Sequence, residues 1–103
     1  MIAYEVTLFV QRGIEREFRA WLDEHVRAIL ALPGFTGAEV FEREDPAAAD
    51  GEFVVCTVYR LRDGEALQAY FRDHAAAMRA DGVAHFGERF RAERRVLTSL
   101  ARY

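Results

Sequence analysis

The apolar positions of this chain fall into blocks whose period reads strand, helix, strand, strand, helix, strand. From Ile2 to Val10, alternation puts Ile2, Tyr4, Val6, Leu8 and Val10 on one side and Ala3, Glu5, Thr7 and Phe9 on the other. A helical stripe follows from Ile14 to Leu32, carried by Ile14, Phe18, Leu22, His25, Ile29 and Leu32, with Trp21 and Val26 widening it. Arg16, Arg19, Glu24 and Arg27 take its wet side, and Pro33 and Gly34 stop it. A second strand runs from Phe35 to Arg43, and Glu42 to Asp50 forms an acidic loop around Pro46. The third strand, Phe53 to Leu61, puts Phe53, Val55, Thr57, Tyr59 and Leu61 on one side and Val54, Cys56, Val58 and Arg60 on the other. Neither side reads as a solvent face. Asp63 is an N-cap for a second helix reaching Ala80, with Leu67, Tyr70, Phe71, His74 and Met78 on its apolar face and Gly82 as its stop. Val83 to Arg89 adds a further helical turn or two before a last strand, Phe90 to Leu97.

This order with right-handed crossovers predicts an α+β, ferredoxin-like βαββαβ two-layer sandwich with antiparallel sheet order 4-1-3-2. The first and third strands lie in its centre. Two helices cover only one sheet face, and strands that are apolar on both sides are normally covered on both. A second copy of the chain is the simplest cover, so the expected assembly is a homodimer through the helix-free face. Antiparallel pairing also brings Glu5 toward Arg60 and toward Arg94 or Arg95. Such a cluster either fixes register or a subunit contact, or it clamps an anion.

Composition narrows the partners. The 103 residues form one domain, 1–103, with room for a single two-layer core and no cofactor-binding subdomain, so no cofactor is expected. Acidic residues outnumber basic ones, 17 to 14, for a net charge of -3, which offers no field for nucleic acid or anionic membranes. Every basic residue except His is Arg, and Lys and Asn are absent, which excludes a Schiff base and a phosphate-loop lysine. The lone Cys56 can form no internal disulfide and fits a reducing compartment. No run approaches the roughly 18 apolar residues of a membrane span, and the expected location is cytoplasmic. Asp81, His85 and Glu88 share a short stretch but read as a solvated surface rather than a metal site. Gly34 and Gly37 follow a helix instead of opening one, so they cradle no phosphate. The arginines from Arg89 to Arg95 read as the guarded edge of a sheet.

His25 and His74 are the candidate catalytic residues, because each lies on the apolar stripe of a different helix and imidazole titrates near neutrality. Tyr4, Trp21, Tyr59 and Tyr70 would furnish the walls of a ligand pocket between sheet and helices. The competing reading makes both histidines structural, bonded to a carbonyl or carboxylate at the edge of the core.

The opening Met1-Ile2-Ala3-Tyr4-Glu5-Val6-Thr7, the pairs Trp21-Leu22 and Glu24-His25, Gly34-Phe35, Tyr70-Phe71 through His74, Gly82, Phe86-Gly87 and Arg94-Arg95-Val96-Leu97 together resemble a small bacterial domain-of-unknown-function family, DUF4286. That family is similar to the dimeric α/β-barrel superfamily, in which two ferredoxin-like sheets face each other. The resemblance implies the same dimer and admits cofactor-independent monooxygenases, haem-degrading enzymes, lactone isomerases and proteins without known catalysis. Haem-degrading members are known for an Asn, Trp, His arrangement, from which a chain without Asn departs. The expectation is therefore a cytoplasmic homodimer that binds a small apolar or aromatic molecule, with His-assisted, cofactor-independent chemistry of monooxygenase or isomerase type. The alternative is a non-catalytic binding or assembly protein.

Overall fold

The computed structural model describes residues 1–103 and contains seven principal elements. These are β1 (Ile2–Gln11), α1 (Glu15–Leu30), β2 (Phe35–Glu42), β3 (Glu52–Leu61), α2 (Gly64–Asp73), α3 (Ala75–Phe86) and β4 (Phe90–Thr98). Short 3-10 turns precede α1 and β4. The strands form one antiparallel sheet ordered β2-β3-β1-β4, the ferredoxin-like arrangement counted from the other edge. No helix is long and apolar enough to cross a membrane.

Alternation along the central strands decides what the helices cover. Tyr4 pairs with Tyr59, Val6 with Thr57 and Leu8 with Val55, and these side chains face the helices. Two clusters form there. One gathers Phe18 and Leu22 of α1 with Val10, Phe53 and Phe86. The other gathers Leu67 and Tyr70 of α2 with Tyr4, Tyr59 and Leu61. Val6 and Val26 pack against both, so the two halves of the core meet over the middle of the sheet.

Asp63 caps α2 as expected, its carboxylate accepting from the Ala66 amide at 2.9 Å. The second helix departs from the predicted Asp63–Ala80 span. It breaks at His74, where φ is -134° and ψ is -28°, and resumes as α3 through Phe86. The break lets two apolar faces point different ways: Tyr70 packs on the Tyr4 half, while Phe86 packs on Phe18 with ring centroids 5.1 Å apart. Gly82 is not a helix stop. It lies buried inside α3, where a Cβ would stand 3.1 Å from both Phe90 and the Trp21 ring, so the glycine serves close approach of α3 to α1. The stop is Gly87, with φ +58°. At the end of α1, Gly34 has φ +89° and faces Ala66, against which any Cβ would collide.

The helix-free face is less apolar than its central strands alone suggest. The outer strands add Glu39, Arg91, Glu93 and Arg95 to it. Phe9, 8% exposed, is covered from the same chain by the guanidinium groups of Arg91 and Arg43, 3.7 and 5.2 Å from its ring centroid. Of the cations expected near Glu5, Arg95 pairs with it at 2.9 Å. Arg94, paired in register with Val6, lies on the opposite, helix-covered face, and Arg60 lies against Gly37. The predicted cluster is thus a single ion pair.

Candidate functional site

Where the two halves of the core meet, the layers do not close. A cavity of about 290 Å³ lies between α1, α3 and the sheet. Its floor is Tyr4, Val6 and Leu8 of β1 with Thr57 and Tyr59 of β3, and its roof is Trp21, Leu22 and His25 of α1 with Met78 and Gly82 of α3. Arg79 and Arg94 stand on its wall, and no Asp or Glu lines it. An apolar cavity of about 150 Å³ holds benzene. The space here therefore suits about two fused rings.

Trp21 and His25 sit one turn apart on α1, and their rings stack with centroids 4.4 Å apart and planes 22° apart. The indole nitrogen donates to Asp81 Oδ2 at 2.9 Å, which fixes the ring from α3. Asp81 is further engaged by His85, whose Nδ1 lies 2.8 Å from its carbonyl oxygen and 3.5 Å from Oδ1. His25 itself has no hydrogen-bonding group of the protein on either nitrogen, and burial pushes its pKa below the ordinary 6.5, against a weaker opposing pull from Asp81. At neutral pH it is an uncharged base.

Across the floor, Tyr4, Tyr59 and Tyr70 form an aromatic group with Tyr4 centred 6.0 Å from each of the other two rings. Burial raises the Tyr70 phenol to about 12 and Tyr59 further, so both stay neutral hydrogen-bond donors. Arg79 Nη2 donates to the Tyr4 hydroxyl at 3.4 Å. Between Tyr59 and Val55 on the same strand face, Thr57 Oγ1 is buried with no hydrogen-bond partner. A buried hydroxyl left unpaired costs about 1–3 kcal/mol.

The fold thus places Tyr4, Trp21, His25, Tyr59 and Tyr70 around one cavity. His74 is not among its lining residues. It occupies the α2–α3 junction, where its amide donates to the Tyr70 carbonyl and its carbonyl accepts from Met78. Three residues with a part in the site are not legible as such, Thr57, Asp81 and Arg79, whereas Arg94, expected beside Glu5 in a cluster that could clamp an anion, stands at the cavity instead. Thr57 carried a signal, a hydroxyl at an inward position of an otherwise apolar strand face. No three His, Cys, Asp or Glu side chains converge in a manner that would hold a metal ion.

SnoaB, a cofactor-independent oxygenase from Streptomyces nogalater, superposes with a TM-score of 0.66 at 17% identity, covering 98% of this chain and 95% of that one. A protein from Deinococcus radiodurans assigned to the antibiotic biosynthesis monooxygenases gives 0.74 at 13% identity, over 100% of this chain and 96% of that one. The de novo designed protein Foldit4 gives 0.63 at 17% identity, over 95% and 97%. At these identities the likeness shows a shared ferredoxin-like fold alone, as its extension to a designed chain makes plain. No curated protein matches by sequence. The family model of DUF4286, a domain of unknown function, matches residues 1–100, and the chain belongs to that family.

Proposed function

We propose that this protein binds a small, flat aromatic molecule in the cavity and that His25 acts on it as a general base without a cofactor. The observation that carries this reading is an imidazole with both nitrogens unengaged, held by a stacked indole at the roof of a 290 Å³ apolar cavity. A base needs a free nitrogen within reach of the bound molecule and a pKa that leaves it unprotonated at working pH. His25 meets the second condition through burial. The step it supports is cleavage of an acidic C–H bond flanked by carbonyl or phenol groups, the proton passing to imidazole and the electron pair staying on the ring. Returning the proton to another carbon gives an isomerisation. Attack of the carbanion on dioxygen, with CH₂ becoming C=O and water leaving, gives a monooxygenation, and SnoaB, a cofactor-independent oxygenase, shares the fold. His74, away from the cavity, takes the structural part in this reading.

The homodimer belongs to the same proposal. Half-buried Val58 and Cys56 lie on the helix-free face, and Phe41 and Leu97, 46% and 41% exposed, extend it on the outer strands. Light scattering at micromolar concentration gives twice the chain mass if the reading holds, and Phe41→Glu reduces it to one chain.

Calorimetric titration with 1,3-dihydroxynaphthalene, followed by proton exchange in D₂O at the carbon between its oxygens, tests the site. Saturable binding with exchange faster than the protein-free rate, lost in His25→Ala, supports the proposal. Absence of binding overturns it, and binding with unaccelerated exchange leaves a binding protein in place of an enzyme.

A further inference from the structure

Resting on that reading of the cavity, we infer that its ligand is an aromatic acid whose carboxylate sits between Arg79 and Arg94, with the ring body against Trp21 and His25. Half of the arginines pair with a carboxylate, among them Arg19 with Glu15, Arg27 with Asp23, Arg72 with Asp73 and Arg95 with Glu5. Arg79 and Arg94 have no carboxylate within ion-pair distance, and the cavity they border has no Asp or Glu. In a chain with 17 acidic residues and a net charge of -3, a cavity bordered by cations and without any acid is a local inversion of charge.

The two side chains come from different elements, Arg79 from α3 and Arg94 from β4, yet both line the cavity and their charges act on the same phenol, that of Tyr70. Arg79 also donates to the Tyr4 hydroxyl. Two guanidinium groups beside two phenols present several N–H and O–H donors to one region, which suits a planar anion with two acceptor oxygens. The opposite end of the cavity, Trp21 stacked on His25, offers only aromatic faces and a neutral base. Polarity along the cavity therefore matches a molecule with an anionic end and a flat apolar body. Register explains the placement: Arg94 opposes Val6 and so points to the helix side, whereas its neighbour Arg95 opposes Glu5 and points away.

The test compares 2-naphthoate with 2-naphthalenemethanol by calorimetry at pH 7.5, in the wild type and in Arg79→Gln, Arg94→Gln and the control Arg16→Gln. The expected result is about tenfold tighter binding of the carboxylate, a preference that falls to near unity in the two cavity variants and survives in the control. Thermal unfolding of each variant checks that the fold is kept. Equal affinity for the two ligands, or a preference that persists without either arginine, overturns the inference while leaving the binding cavity in place. If neither ligand binds, the cavity reading falls and the inference with it, so the two failures are distinct.

Discussion

The imidazole of His25 and the indole of Trp21 are stacked at 4.4 Å, and the same indole is tethered through its N–H to Asp81 on another helix. The imidazole is thus held in place by a neighbour whose own position depends on α3. Trp21 is the only tryptophan, so its emission reports on this site. A protonated imidazole stacked on indole quenches it. Acid titration of the fluorescence should show a transition with a midpoint below 6.5, absent in His25→Gln and retained in His85→Gln. The sign for stability follows from the same burial: the unfolded chain takes up the proton first. The contribution of His25 is complete above 6.5, declines as pH falls below that value and levels off beneath the folded-state pKa. His25→Gln should flatten the pH dependence of the melting temperature in that window.

Thr57→Val removes a buried hydroxyl that has no partner and keeps its shape. Stability to urea should rise by about 1 kcal/mol, because the desolvated group is lost and no hydrogen bond is broken. Affinity for 1,3-dihydroxynaphthalene should fall at the same time. A gain in stability with a loss of binding marks a polar group kept for a ligand, and a loss of both would refute that role.

Gly82→Ala sets helix propensity against packing. Alanine favours the helix interior by about 1 kcal/mol. Its methyl group would stand 3.1 Å from Phe90 and from Trp21, and overpacking of this kind costs about 1–3 kcal/mol. Packing should win, for a net loss of about 1 kcal/mol in chemical denaturation, with a shifted Trp21 emission maximum as the indole moves.

Tyr70, raised to about 12 by burial, contributes stability that is complete below the ordinary tyrosine value of 10.0 and is lost as pH rises toward 12. Tyr59 acts in the same direction. Alkaline unfolding followed by circular dichroism should therefore begin above 10 in the wild type and become shallower in Tyr70→Phe.

Periodicity carries most of the fold, because strands rich in apolar residues at every second, inward position and a helix with a continuous apolar stripe leave strong patterns in Ile2–Val10, Phe53–Leu61 and Ile14–Leu32. It failed where one pattern concealed two. The Leu67, Tyr70, Phe71, His74, Met78 stripe reads as one helix, but the bend at His74 redirects it, and the Ala-rich start of α3 gives little amphipathic signal of its own. Gly82 reads as a stop in the sequence because a glycine that ends a helix and one that admits a ring are the same letter. His25 stood out through its spacing, as did the aromatic walls. Asp81 and Arg79 did not, since their parts depend on where α3 lies against α1 and β1, a tertiary fact. Arg94 differs from Arg95 only in the phase of an edge strand against β1.

Because β1 and β3 alternate, the cavity side and the outer side of this sheet are written in interleaved positions of the same segments. Val6 and Thr57 belong to the cavity, whereas Glu5, Cys56 and Val58, their immediate neighbours in sequence, belong to the face turned outward. Descendants of this chain can remodel the outer face by changing one set of positions and the cavity by changing the other, with no substitution common to both. An insertion of one residue in β1 has no such freedom, since beyond that point it would trade the two sets and lose both at once.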